Sequence, residues 1–189
     1  DSSHPFPHLM NKDIYVTANL KHINSRKNKD GKEKEQILGI VPVPTYVSDI
    51  LVLPGHDIRY IRMEKVIMEY LDLVFDQYEV SDPNYICVTR NADDFRKLMQ
   101  STLHKRRRMA VVRLETAEKL TPEMQEYFCK KFKITPEQIF RTKMPMKLDY
   151  MFSIAGNLPE PMKKALVYEP FSPQKSAHVQ DPRGHTKSN

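Results

Sequence analysis

Hydrophobic and polar positions along this chain fall into two kinds of segment. Residues 14–20 (IYVTANL) and 36–43 (QILGIVPV) are rich in the β-branched and aromatic residues that suit a pleated, half-buried surface. Between them, residues 21–34 (KHINSRKNKDGKEK) are dense in lysine and carry Asp30-Gly31 at a turn, so the two runs predict a long hairpin. Pro42 and Pro44 cannot donate to a ladder, which makes the end of the second run an edge or an exit. A third extended piece spans residues 49–53 and stops at Pro54-Gly55, and residues 59–61 form a short strand after it.

Helical spacing begins next. Met63, Val66, Ile67, Tyr70, Leu71 and Val74 share one face at helical intervals, with Glu64, Lys65, Glu69 and Asp72 on other faces. Glu64 and Glu69 are accordingly expected as solvated helix charges. Ser81-Asp82-Pro83-Asn84 predicts a turn, and residues 85–90 (YICVTR) a buried strand. A second helix is predicted from Asp94, with Phe95, Leu98, Met99 and Leu103 as its apolar stripe. It ends in His104-Lys105-Arg106-Arg107-Arg108, where cations suit the negative end of the helix dipole.

Residues 109–114 (MAVVRL) read as the following strand. Thr121 as N-cap and Pro122 as the first residue start a third helix, with Met124, Tyr127, Phe128 and Phe132 toward the core. Thr135-Pro136-Glu137-Gln138 repeats the start signal, with a Gln placed to close a capping box before residues 139–141. Strands are grouped early and helices are interspersed later. The predicted fold is α+β, an antiparallel or mixed sheet with helices packed on one face. Residues 1–171 are expected to form one domain, and residues 172–189, poor in apolar side chains, a flexible tail or linker.

Composition narrows this picture. A chain of 189 residues with 40% hydrophobic and 29% charged residues belongs among globular proteins, and its five glycines argue against a glycine-rich architecture. No apolar run approaches the roughly 18 residues that span a bilayer, and the acidic start Asp1-Ser2-Ser3 is unlike a secretory leader, so a cytoplasmic location is expected. Cys87 and Cys129 are two thiols, too few for a disulfide framework. A formal charge of +6 favours anionic partners, though much of it lies in residues 21–34 and in Lys175, Arg183 and Lys187 near the end.

Generic catalytic patterns are absent from the sequence. It contains no GxxxxGK[ST] loop, GxGxxG turn, GxSxG elbow or CxxC pair. His4 and His8 have the spacing of metal ligands on a helix, but Pro5 and Pro7 interrupt that helix, and His56 beside Gly55 is a loop residue. The basic run Lys105, Arg106, Arg107 and Arg108, with Arg113, is the candidate contact for a phosphate-bearing or other anionic partner. Arginine grips phosphate oxygens in a bidentate fork. A solvated helix end is the competing account of the same charges. Nothing beyond charge supports a specific nucleic acid, since RRM aromatics, a GXXG loop and a zinc knuckle are all missing.

Several segments, read in order, resemble one family. They are His4-Pro5-Phe6-Pro7; residues 40–45 (IVPVPT); residues 60–67 (YIRMEKVI), similar to an aromatic-Ile-x-Leu-Glu-x-x-Ile motif; residues 88–93 (VTRNAD); and residues 106–115 (RRRMAVVRLE). Together, over roughly residues 4–175, they resemble the head or middle domain of the ATP-dependent, histidine-phosphorylated polyphosphate kinases. The resemblance implies a parent enzyme, a transferase, that moves the terminal phosphate of ATP reversibly onto polyphosphate through a phosphohistidine, with magnesium. It implies that this histidine and most nucleotide and metal ligands lie in other domains, and that the head domain serves assembly and shaping of the enzyme.

No catalytic, cofactor-binding or metal-binding residue is therefore carried onto this chain. ATP and magnesium are expected in the parent and not on this segment alone. The implied partners are the remaining domains, further copies of the same chain in a homo-oligomer, and polyphosphate. Two departures stand out: Asp94-Phe95 follows residues 91–93 with little of the family's acidic stretch, and residues 180–189 (QDPRGHTKSN) do not resemble its route onward. A non-catalytic polyanion-binding or protein-interaction module is the alternative reading.

Overall fold

The structure, a computed structural model, describes residues 6–23, 37–55, 58–91 and 110–172. Two compact units divide the chain, Asp1–Gly156 and Asn157–Asn189.

The first unit is built on a five-stranded sheet. Its strands are β1 (Ile14–His22), β2 (Ile37–Pro42), β5 (Tyr78–Arg90), β6 (Val111–Thr116) and β7 (Ile139–Arg141), in the order β2-β1-β5-β6-β7. All pairings are antiparallel except β6 with β7, which is parallel. The predicted hairpin is present as the β1–β2 pair, with Val16 opposite Val41. A separate two-stranded sheet joins β3 (Ile50–Leu53) to β4 (Arg59–Arg62). Gly39 matters to the packing of β2, because a side chain there would come within 2.9 Å of both Leu20 and Phe75.

An unbroken run of seven buried residues opens β1, which marks a strand covered on both faces. Tyr15 joins Ile86, Val88 and Leu114 in one core with Met124, Phe128 and Phe132 of helix α3 (Pro122–Phe132). Ile14, Val16, Ala18 and Leu20 join a second core with Leu71, against which Ile67 and Met68 also pack. The α+β class and the mixed sheet stand, and the helical cover extends beyond the one face expected. Helix α3 lies on one side, while α1 (Met63–Glu69) and α2 (Leu71–Val74) lie on the other.

Three local expectations are corrected. The helix predicted through Val74 breaks at Tyr70, whose N–H bonds both the Val66 and Ile67 carbonyls at 3.3 and 3.2 Å. The break shifts the phase of the apolar stripe, so Leu71 is 2% exposed while Tyr70 and Val74 are 55% and 52% exposed. Residues 81–84 do not reverse the chain; they lie inside the thirteen-residue β5. There Asp82 adopts φ 50°, beside a register shift in the β1–β5 ladder, and Asn19 Nδ2 donates to Asp82 Oδ2 at 3.0 Å, so the turn-prone residues make a bulge. Tyr127 lies at the rim of α3, since Met124, Phe128 and Phe132 occupy the strict i+4 row.

Helix α3 and the turn after it follow their sequence signals. Thr121 Oγ1 accepts the Met124 N–H at 3.3 Å, Pro122 fills the first turn, and Lys133 ends the helix in the left-handed conformation. The capping box at residues 135–138 is formed, with the Thr135 N–H donating to Gln138 Oε1 at 2.9 Å. After β7 the chain enters α4 (Tyr150–Asn157), which has no buried residue.

The second unit contains α5 (Glu160–Leu166), whose Glu160 accepts from Lys163 Nζ at 3.3 Å. Leu166, Val167, Tyr168 and Phe171 are exposed. The helix predicted from Asp94, most of residues 21–34 and the tail from residue 173 lie outside the described residues.

Candidate functional site in the Arg62 cleft

Arg62 ends β4 and precedes the first residue of α1 with extended backbone (φ −74°, ψ 145°). Its Nη1 pairs with Glu64 Oε1 at 2.8 Å, with 19% and 6% of the two side chains exposed. Its Nη2 donates to the Tyr85 hydroxyl at 3.3 Å. The guanidinium carbon lies 5.9 Å from the ring centroids of both Tyr85 and Tyr150. Lys65 Nζ sits 5.0 Å from the Tyr85 ring, and Tyr60 lies 6.1 Å from Tyr150. Glu64 is therefore a buried ion-pair partner, not the solvated charge its position on the helix suggested. The reason is tertiary: β4 and β5 bring Arg62 and Tyr85 over the first turn of α1.

Beside this cluster is a small cleft. Its polar wall is Thr45, Asp49, Arg62, Glu64, Lys147 and Tyr150, and its apolar wall Ile14, Val43 and Pro44. At about 40 Å³ it has room for a few waters and none for a nucleotide. Two cations, Arg62 and Lys147, and two carboxylates, Asp49 and Glu64, line the cleft, and Lys147 Nζ pairs with Asp13 Oδ1 at 3.3 Å. That balance does not attract a polyanion. The arrangement offers ion-paired positioning of Arg62 by Glu64, without an activated nucleophile on its walls.

Of the candidate anion contacts, Arg113 is described. Its Nη2 donates to Glu115 Oε1 at 3.0 Å, and its guanidinium carbon lies 4.4 Å from the centroid of Phe140. One face of the ion is thus occupied, although the side chain remains 46% exposed. Lys105, Arg106, Arg107 and Arg108 lie outside the described residues, as do His4 and His56. His8 is exposed. Among the described residues there is no group of three or more His, Cys, Asp or Glu side chains that could hold a metal ion.

Sequence reasoning missed the Arg62 cluster as a unit, although residues 60–67 carried part of the family resemblance. Residues 13, 62, 85 and 147 are distant in sequence, so only the alternation Arg62-x-Glu64 at a strand-to-helix junction could have hinted at it. Burial pushes the Cys87 thiol up to about 11, with nearby Glu115 adding to the effect, and burial raises Cys129 as well. Neither thiol has the lowered pKa of a reactive cysteine.

Comparison with known proteins agrees with the architecture. A family profile described as the polyphosphate kinase middle domain matches residues 1–154. The polyphosphate kinase of Bacillus cereus is 30% identical over 92% of this chain and 26% of its own length. That of Pseudomonas putida is 27% identical over 92% of this chain and 24% of its own length. The chain therefore spans about a quarter of the length of these curated relatives. The crystal structure of polyphosphate kinase from Porphyromonas gingivalis superposes with a TM-score of 0.61 at 24% identity, over 96% of this chain and 25% of that one, a likeness of fold. With the profile covering the whole five-stranded sheet, the chain belongs to the polyphosphate kinase middle domain family.

Proposed function

We propose that this chain is the middle domain of a cytoplasmic polyphosphate kinase that transfers the terminal phosphate of ATP reversibly to polyphosphate. The phosphohistidine intermediate and the ATP and magnesium sites belong to other domains of that enzyme. The domain itself shapes and assembles the enzyme, including contacts between copies. The observation that carries this reading is the family match running from the first residue to residue 154. Two features accord with a structural role: the Arg62 cleft is too small for a nucleotide, and both of its cations, Arg62 and Lys147, already sit in ion pairs with Glu64 and Asp13.

The test is direct. Incubated with radiolabelled ATP and magnesium, the chain alone is expected to remain unlabelled and to make no polyphosphate. An acid-labile phosphate on any of its seven histidines would overturn the assignment of the nucleophile to another domain.

A further inference from the structure

The wall of the Arg62 cleft comes from two sources with different anchorage. Thr45, Asp49, Arg62 and Glu64 sit on or next to elements built into the body, whereas Lys147 and Tyr150 belong to the segment that leaves β7. That segment is fastened at its start, where the Thr142 N–H donates to the Thr116 carbonyl at 2.9 Å. Beyond it, Met144 is 69% and Leu148 58% exposed, and Met146 packs partly against the second core.

The fastenings nearest the cleft are weak in kind. Lys147 and Asp13 pair at 3.3 Å with about a third of each side chain exposed, an arrangement worth little in water. The Tyr150 ring meets the Arg62 guanidinium at 5.9 Å and Tyr60 at 6.1 Å. Helix α4 itself has eight residues and none buried, with Met151 51% and Phe152 81% exposed. A helix of that length is marginal on its own, and a side chain added at Gly156 near its end would meet nothing within 4 Å. By contrast, β1 and β5 are held on both faces.

We propose that residues 147–156, beyond the Met146 anchor in the second core, form a strap that opens off the Arg62 cleft as one piece, with the sheet intact beneath it. Opening lifts Tyr150 and Lys147 away together. It leaves the Arg62–Glu64 pair and the Tyr85 hydroxyl in place, and it exposes the face of the guanidinium that Tyr150 covers. Elements with few buried contacts open at lower free energy than the sheets they rest on, so the motion is sampled by the folded protein. The cleft is in this sense gated, with Tyr150 as the latch and Lys147–Asp13 as a second, salt-sensitive tie.

Hydrogen exchange read by mass spectrometry on the intact chain tests the strap. Amides of α4 are expected to exchange far faster than those of β1 and β5. Tyr150→Ala and Asp13→Asn are each expected to speed them further by about two- to fivefold, with the sheet unaffected. High salt is expected to speed the parent and to leave Asp13→Asn unchanged. Exchange of α4 in step with the sheet, measured on the parent so that no variant need fold, overturns the proposal. So does fast exchange that neither substitution alters, which marks a frayed helix unconnected to the cleft.

Discussion

Asn84 Oδ1 accepts the backbone N–H of Ala117 at 3.2 Å, joining the bulged part of β5 to the loop that leaves β6. The same oxygen accepts from the N–H groups of Tyr85 and Glu118 at 2.9 and 3.0 Å, and Nδ2 donates to the Glu118 carbonyl at 3.0 Å. Asn84 is 4% exposed, and of its partners Tyr85 and Ala117 are buried while Glu118 is exposed; the Ala117 N–H also donates to the Tyr85 carbonyl at 3.1 Å. Asn84→Ala is expected to cost about 1–3 kcal/mol, because it removes bonds at the buried Tyr85 and Ala117 N–H groups, of which Ala117 keeps a second acceptor. Urea denaturation measures it, and a loss below about 0.5 kcal/mol would show that the loop finds other partners.

Leu71 and Val74 lie three residues apart, yet the break at Tyr70 buries one and exposes the other. Leu71→Ala is expected to cost about 2–5 kcal/mol and Val74→Ala less than about 0.5 kcal/mol. Equal costs in chemical denaturation would restore the single continuous helix.

Glu64→Ala leaves the Arg62 guanidinium in a mostly buried setting with only the Tyr85 hydroxyl and the rings for partners. Because about a fifth of the Arg62 side chain remains solvated, a loss of about 1–3 kcal/mol is expected, short of the full penalty for a buried pair. Arg62→Met combined with Glu64→Leu is expected to recover most of that loss. A double-mutant cycle in urea checks the coupling, and additive single costs would mean that the two charges do not depend on each other.

The Cys87 thiol rises from 9.0 to about 11 on folding, through burial first and then Glu115. Because its folded value lies above its unfolded one, its contribution is complete below about pH 9 and is lost as the pH climbs through about 11. The size is roughly 2–3 kcal/mol, from about 1.4 kcal/mol per unit. Stability measured from pH 8 to 11 is expected to fall less steeply in Cys87→Ala than in the parent. Iodoacetamide is expected to modify Cys87 only after unfolding, and rapid labelling of the native chain would contradict its burial.

Replacing Arg106, Arg107 and Arg108 together by Gln tests the basic run in solution. If these side chains meet polyphosphate, the variant binds it more weakly and with a flatter salt dependence, while thermal melting changes little. Identical binding at every salt concentration would reduce the run to a helix-end charge and remove the main support for a polyanion-binding module.

Local chemistry was legible in the sequence wherever one stretch of chain satisfied itself. The cap at Thr121, the capping box at residues 135–138 and the β1–β2 pairing all depend on neighbours or on a single hairpin, and all are present. The family resemblance was legible for a related reason, since short motifs in order survive without knowledge of packing. Tertiary structure alone decided the rest. Asp82-Pro83 carries turn chemistry, but pairing with β1 on one side and the Asn84 bonds on the other keep it inside a strand. Tyr70 carries the helical period, but the break there sends it outward and hands the core to Leu71. Glu64 has the pattern of a surface charge, and Arg62 with Tyr85 makes it an interior one. At Asp82 and around Glu64, contacts between residues remote in sequence, Asn19 with Asp82 and Arg62 with Tyr85, outweigh a preference worth a fraction of a kcal/mol per residue, which is the scale of local propensity.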